Sequence, residues 1–395
     1  MSVETLLTFN AGSSTVKVGL FERTATGPRR LARAIIDFRH DPLTFRITEG
    51  PKKIDIALNA KSGDDLTEIV AETFDELAKD FDISRIAAVG HRVVHGGDAF
   101  AGPVTLDDKT IAAIDALTPL APLHQPQALR LIRAVANTGR GLVQTASFDT
   151  AFHRTNADFV RRFAIPRALF DQGVKRYGFH GLSYKYITGE LLRTHSSIAQ
   201  GKVVVAHLGS GASLCAIDGG ESRDTTMGFS TLDGIPMATR CGAIDPGVLL
   251  HMLGAGGETL AELEDMLYNR SGLLGVSGIS ADSRELLESR ALEAIEAIEL
   301  FTFRIAGEMA RLAGTLQGLD AIVFTAGIGE NQPRVRAGVC ERLGWLGVEL
   351  DAPANAANAP IISSPKSRVS VFVIPTDEEQ VIADETLSVI AGVKT

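Results

Sequence analysis

A chain of 395 residues exceeds one ordinary hydrophobic core, so two domains are expected. Hydrophobic residues make up 45% and charged residues 22%, the balance of a soluble globular protein, and a formal net charge of −9 excludes general nucleic-acid binding. No apolar run is long enough to span a membrane. The start, Met1-Ser-Val-Glu4, has no basic stretch leading into an apolar one, which predicts no secretion signal. Cys215, Cys241 and Cys340 are odd in number and lack metal-ligand spacing, so a cytoplasmic protein with reduced thiols is expected.

The first predicted strand, Leu6 to Phe9, runs into Asn10-Ala-Gly-Ser-Ser14 and returns as Val16 to Phe21. Val16, Val18 and Leu20 share one face of the return strand, and Lys17 points from the other. Residues 24–65 carry weak strand signals. Leu66, Ile69, Val70, Phe74 and Leu77 recur at helical spacing, which predicts a helix over 66–81. A buried strand at 86–89 leads into Gly90-His-Arg-Val-Val-His-Gly-Gly97. Helices are predicted over 107–118 and 126–137, and a strand over 142–146 ends in Ser147-Phe-Asp-Thr150.

A second block follows the same outline. Strands at 203–206 and 213–217 flank His207-Leu-Gly-Ser-Gly211. Helices are expected near 257–269 and 283–317, with Gly254-Ala-Gly-Gly257 as a loop. The strand at 321–325 runs into a glycine turn, Ala326-Gly-Ile-Gly-Glu-Asn331. A last strand at 370–374 precedes a final helix near 380–395 that packs back on the first domain. Each half opens with a strand, a Gly/Ser turn and a return strand, so the pattern predicts a duplicated α/β fold. The expected domains are 1–149 plus 380–395, and 150–379.

Three strand-to-glycine turns, at 10–14, 207–211 and 326–331, suggest a phosphate-rich ligand, because exposed backbone N–H groups bind anionic oxygens. Asn10, Arg92, Asp149, His207 and Gly327 all follow strand ends, where open α/β sheets bind ligands. Arg92 and Arg240 sit in loops among small residues, where a guanidinium holds a carboxylate or phosphoryl group through two parallel hydrogen bonds or else forms a structural ion pair. His180, in Tyr177-Gly-Phe-His-Gly181, competes for a donor role with His91, His95, His124, His153 and His207. Glu378 and Glu379 begin the last helix, where acids also suit the helix dipole. No Gly-x-x-x-x-Gly-Lys-Ser/Thr run, serine-hydrolase elbow or dinucleotide fingerprint is present.

Taken in order, Asn10 to Ser14, Gly90 to Gly97, Phe148-Asp-Thr-Ala-Phe-His153, Tyr177 to Gly181, His207 to Gly209, Ala326 to Asn331 and Thr376 to Glu379 resemble the acetate kinase family of the sugar kinase, Hsp70 and actin superfamily. The resemblance implies two ribonuclease H-like domains with a nucleotide cleft between them. It implies reversible phosphoryl transfer from ATP to acetate, giving ADP and acetyl phosphate, with Mg²⁺ (or Mn²⁺) as the metal. Asn10 and Glu378 become the metal-associated residues. Arg92, Val93, Leu123 and His124 become the acceptor site, with Asp149, His180 and Arg240 as the catalytic set. Lys17 supports the nucleotide, which is held by His207, Leu208, Gly209, Ser210 and Gly211, by Asp282, Ser283 and Arg284, and by Gly327, Ile328, Gly329, Glu330 and Asn331. A homodimer follows from the family, and neither a nucleic acid nor a membrane is an expected partner.

Some positions depart from the family pattern. Ser210 stands where asparagine is usual, Gln125 replaces an asparagine, and Asp377 adds a negative charge beside the expected metal. Propionate is an alternative acceptor, since one methylene in an apolar pocket changes discrimination by only about 1–3 kcal/mol. A non-enzymatic ATP-binding switch is the reading from another class, and it has no use for Arg92, Asp149, His180 and Arg240 together.

Overall fold

The computed structural model describes residues 4–12, 15–61 and 65–392. Ser13 and Ser14 of the first glycine turn lie outside the described residues. The chain forms two compact units, Met1–Phe152 with Asp377–Thr395, and His153–Thr376.

In the first unit the strands are β1 (Thr5–Ala11), β2 (Thr15–Thr24), β3 (Gly27–Asp37), β4 (Thr44–Glu49), β5 (Ile54–Ala57), β6 (Ile86–Val93), β7 (Val104–Thr105) and β8 (Val143–Phe148). Their order is β5-β4-β3-β2-β1-β6-β8-β7. β1 pairs antiparallel with β2 and parallel with β6, and β6 pairs parallel with β8. The stretch of weak signal thus holds three strands. β3 hides its pattern because Arg29, Arg30 and Arg33 interrupt the apolar set Ala32, Ala34 and Ile36, and its pairing to β2 supplies what local pattern lacks.

The helix Leu66–Ala78 is capped by Asp65, whose carboxylate accepts from the Thr67 N–H. Ile69, Val70, Phe74 and Leu77 pack with Leu7, Phe9, Val18 and Val135 in one apolar cluster. Burial of each such side chain stabilises the unit by about 1.5–3 kcal/mol. The helix Glu378–Ile390 covers the other face, with Ala383 against Leu6, Phe21 and Ala88. It crosses β6 at Gly90, where an added Cβ would lie 2.2 Å from Thr386 Oγ1 and 2.6 Å from Ile382 Cγ2. Gly90 therefore serves helix packing rather than ligand approach.

The second unit contains β9 (Lys202–Leu208), β10 (Ala212–Asp218), β11 (Glu221–Thr225), β12 (Ala321–Thr325) and β13 (Ser370–Val373), in the order β11-β10-β9-β12-β13. β9 is antiparallel to β10 and parallel to β12, and β12 is parallel to β13. The order β3-β2-β1-β6-β8 repeats here strand for strand. Both sheets carry the ribonuclease H-like arrangement, so the α/β fold is duplicated.

Three local expectations change. The helix over 283–317 is two helices, Ser283–Glu288 and Leu292–Leu316. Ser289 breaks it, since its hydroxyl accepts from the Ala291 N–H and offers the backbone an alternative to the helix. The glycines at 254–257 do not form a loop: Met252–Gly256 is a π-turn continuing the helix Pro246–His251, closed by Gly257 in the left-handed region at φ 77°. The glycine turn after β12 is a short helix, Ala326–Asn331.

Candidate functional site

In the first unit Asn10, Arg92 and Asp149 stand at the carboxyl ends of the neighbouring strands β1, β6 and β8. Parallel register aligns Phe9 with His91 and Val93 with Phe148, so the three side chains emerge at one level. Arg92 donates from Nε to Asp149 Oδ2 at 3.0 Å and from Nη2 to the same oxygen at 2.6 Å. Its Nη1 donates to Asn10 Oδ1 and to the Ala11 carbonyl, both at 3.2 Å. These bonds occupy four of the five guanidinium N–H groups, leaving one on Nη2. The two-bonded fork expected for a carboxylate ligand is already spent on Asp149.

Asp149 is 1% exposed and its N–H donates to the Val93 carbonyl at 3.1 Å. Burial pushes its carboxyl up, Arg92 opposes this, and Glu378 and Glu385 add to the rise. Burial also works against the charge on Arg92, but Asp149, Glu378 and Glu379 outweigh it and hold the guanidinium charged.

Asn10 Nδ2 donates to Glu378 Oε2 and to Glu379 Oε1, each at 2.8 Å. Carboxylates accept only, and Arg92 donates only, so the amide orientation is fixed by its partners. The Asn10 oxygen is turned to Arg92 and its amide nitrogen to the two glutamates, so Asn10 ties the guanidinium to both carboxylates. Glu379, which as a first-turn acid also suits the helix dipole, belongs to this cluster. Lys17 pairs across the strands with Asn10, and its Nζ lies 3.9 Å from Glu379 Oε1. The extra charge of Asp377 is answered by Arg30 and by Arg33, whose Nη2 donates to Asp377 Oδ2 at 2.7 Å.

Val93 is fully buried with Phe100, Ile132 and Phe148, so it is a core residue before it is a pocket wall. Leu123 is 49% exposed, and His124 precedes the helix Gln125–Asn137.

Burial also sorts the competing histidines. His91 bonds through Nε2 to Gln144 Oε1 at 2.7 Å and stacks on Phe9. His95 Nδ1 accepts from the Gly97 N–H at 3.0 Å. His153 donates from Nε2 to the Phe179 carbonyl at 2.9 Å, so its Nδ1 accepts from Ser222 Oγ. Burial pushes all three down to about 4. The unfolded chain binds their protons near 6.5 and the folded one does not. Stability is thus fully present above pH 6.5 and falls as pH drops toward 4, by about 1.4 kcal/mol per pH unit for each histidine. Urea midpoints measured from pH 7 to pH 4.5 should decline steeply, and His91→Gln should flatten the slope. A slope unchanged in that variant would refute the assignment for His91.

In the second unit His180 is held at φ 58°, directly before the helix Gly181–Thr194. Its ring stacks on His207 at 4.2 Å, with 14° between planes. The loop after β9 runs through Gly209 to Gly211, and the Ala238 N–H donates to the Ser210 carbonyl at 3.2 Å. The Leu273 and Leu274 N–H groups clamp the carbonyls of Met237 and Ala238, which fixes the turn that carries Arg240. Arg240 Nη1 donates to the Thr231 carbonyl at 3.3 Å. A Cβ built on Gly211 would lie 3.4 Å from His180 Nε2 and 3.7 Å from Arg240 Nη1. His180, Arg240 and the 207–211 loop therefore converge at Gly211.

A Cβ on Gly209 would lie 3.7 Å from Ala326 Cβ, so the helix Ala326–Asn331 adjoins the same loop. Glu330 Oε1 accepts from the Thr376 N–H, and Asn331 Nδ2 donates to the Gly327 carbonyl. Beneath them Arg336, 0% exposed, donates from Nη1 to the Gly329 carbonyl at 2.8 Å and the Glu330 carbonyl at 3.0 Å. Sequence reasoning missed Arg336. The signal was its place on the helix Pro333–Glu341, beside Val335 and one turn before Val339 and Cys340 on the apolar face. Asp282 caps its own helix and pairs with Arg284, forming a local knot at the surface.

The family model described as the Acetokinase family matches residues 5–384. The chain is 48% identical over 388 residues to an acetate kinase of Rhodopseudomonas palustris (strain TIE-1), covering 96% of this chain and 97% of that protein. An acetate kinase of Nitrobacter hamburgensis is 45% identical over 393 residues, covering 98% of this chain and 96% of its own length. Among solved structures, a propionate kinase from Francisella tularensis aligns with TM-score 0.90 at 34% identity, covering 97% of this chain and 98% of its own. The acetate kinase of Porphyromonas gingivalis aligns with TM-score 0.88 at 33% identity, covering 98% and 100%.

Proposed function

The chain belongs to the Acetokinase family, and from that premise we propose that it transfers a phosphoryl group reversibly from ATP to acetate, giving ADP and acetyl phosphate. Arg92 carries this reading: charged, 15% exposed at the side chain, braced on three sides and left with one N–H, it suits an anionic acceptor oxygen. Acetate is already ionised near neutral pH, so no general base has to activate it. Asp149 then acts by holding Arg92 in place rather than by taking a proton. Phosphoryl transfer passes through a loose state with charge on the equatorial oxygens. His180 and Arg240 supply donors and positive charge to those oxygens in a direct in-line transfer.

The nucleotide role is assigned to the 207–211 loop and to Gly327 to Asn331, with Ser210 offering a shorter side chain than asparagine. Asp282, Ser283 and Arg284 complete that assignment, and Lys17 supports it. For the metal, a pair of carboxylates suits Mg²⁺, which takes one or two protein carboxylates and keeps its other positions for phosphates and water. Glu378 and Glu379 would hold it, with Asn10 orienting them. A Mg²⁺ ion there would supply charge neutralisation to the transferring group. Val93 and Leu123 are proposed to flank the acceptor methyl and His124 to support it. The same family reading makes the protein a cytoplasmic homodimer. No helix is long and apolar enough to cross a membrane among the described residues.

The test is ATP-dependent acyl phosphate formation with Mg²⁺, trapped by hydroxylamine, for acetate, propionate and butyrate. Product with acetate at the highest kcat/KM is expected. Folded protein that binds ATP yet forms no product with any of the three acids would overturn the proposal.

A further inference from the structure

We propose that Ser213 and Ser183 hold the stacked imidazoles of His180 and His207 in opposite tautomers, with the ring proton of His180 on Nε2 and that of His207 on Nδ1. The two rings lie 4.2 Å apart and nearly parallel. Two imidazolium charges at that separation would repel, which disfavours the doubly charged pair. A neutral imidazole carries one ring proton, and the partner of its Nδ1 decides which nitrogen holds it.

His207 Nδ1 lies 2.8 Å from Ser183 Oγ. The single hydroxyl proton of Ser183 is directed to Thr376 Oγ1 at 2.9 Å. Toward His207 the Ser183 oxygen therefore accepts, and His207 carries its proton on Nδ1. His180 Nδ1 lies 2.8 Å from Ser213 Oγ. Ser213 also meets the Tyr184 hydroxyl in a short contact within a fully buried site. A phenol is a better donor and a poorer acceptor than an aliphatic hydroxyl, so Tyr184 donates to Ser213. The Ser213 proton is then directed to His180 Nδ1, which accepts, and the His180 proton resides on Nε2. That nitrogen is the one beside Gly211 and Arg240.

The functional consequence rests on the reading of His180 given above. An Nε2–H next to Arg240 donates to a phosphoryl oxygen without requiring an imidazolium. Ser213 and Tyr184 are positioning residues that act through His180, and Ser183 with Thr376 does the same for His207.

The test is nitrogen NMR of the full chain labelled with ¹⁵N-histidine, with His180→Gln and His207→Gln used to identify the two rings. Protonated Nε2 on His180 and protonated Nδ1 on His207 are expected. Ser213→Ala should erase the His180 preference and lower kcat by about 10–10²-fold, with little change in KM for acetate. Tyr184→Phe should weaken the same preference, and Ser213→Thr should restore it. Both rings in the same tautomer in the unsubstituted protein would overturn the proposal. Opposite tautomers with kcat unchanged in Ser213→Ala would leave it standing and instead remove His180 from the transfer step.

Discussion

Arg92→Ala is expected to destabilise the protein by about 3–5 kcal/mol, because it strands the Asp149 carboxylate at 1% exposure without its counter-charge. The same substitution removes the N–H assigned to the acceptor, and kcat/KM for acetate should fall by at least about 10²–10³-fold. The two effects separate in a second variant. Arg92→Ala combined with Asp149→Asn deletes the buried charge along with its partner, so part of the lost stability should return in urea titrations. Activity should not return, since the donor is still missing. A double variant no more stable than Arg92→Ala would show that the ion pair is not what the guanidinium stabilises.

Arg336→Leu should cost as much by a different route. The guanidinium is buried with no carboxylate partner among the described residues, yet every one of its N–H groups is used. Nε donates to Asn355 Oδ1, and Nη2 donates to the Asn355 carbonyl at 2.8 Å and to Asn358 Oδ1 at 2.6 Å. Nη1 takes the carbonyls of Gly329 and Glu330, near the end of the short helix after β12. A buried acceptor left unpaired costs about 1–3 kcal/mol, and several are stranded at once. A loss of about 4–5 kcal/mol is expected, at the upper end for single substitutions. Because Gly329 and Glu330 belong to the assigned nucleotide segment, KM for ATP should rise in the surviving folded fraction. Arg336→Lys keeps a charge but not the planar fork, and should fall between the two. A loss below about 1 kcal/mol in Arg336→Leu would mean that the site relaxes or hydrates freely.

The strands that carry the site were legible because they are apolar runs ending in glycine and polar residues. Leu6 to Phe9, Ile86 to Val89 and Ile322 to Thr325 need no partner to declare themselves. β3, β4 and β5 gave only weak strand signals, since Arg29, Arg30, Arg33, Arg46 and Asp55 interrupt their apolar sets until the neighbouring strand fixes their faces. The helix break at Ser289 was hidden for a related reason. Its cause is one side-chain hydrogen bond, while apolar periodicity resumes a few residues later. The role of Gly90 was equally hidden, since its partner is the helix Glu378–Ile390, far along the chain.

By itself the sequence determined which residue types stand at the strand ends, that the α/β pattern occurs twice, and, through motif order, the family. Those properties are local or statistical, and each survives without knowledge of who touches whom. Only the tertiary structure decided how the donors and acceptors are spent. Arg92 meets Asp149 across 57 positions, and Asn10 meets Glu378 across 368. Such pairings fix which N–H remains for a ligand, which way an amide turns, and which tautomer an imidazole takes. A hydrogen-bonding group has few partners, and its neighbours in space, not in sequence, use them up first.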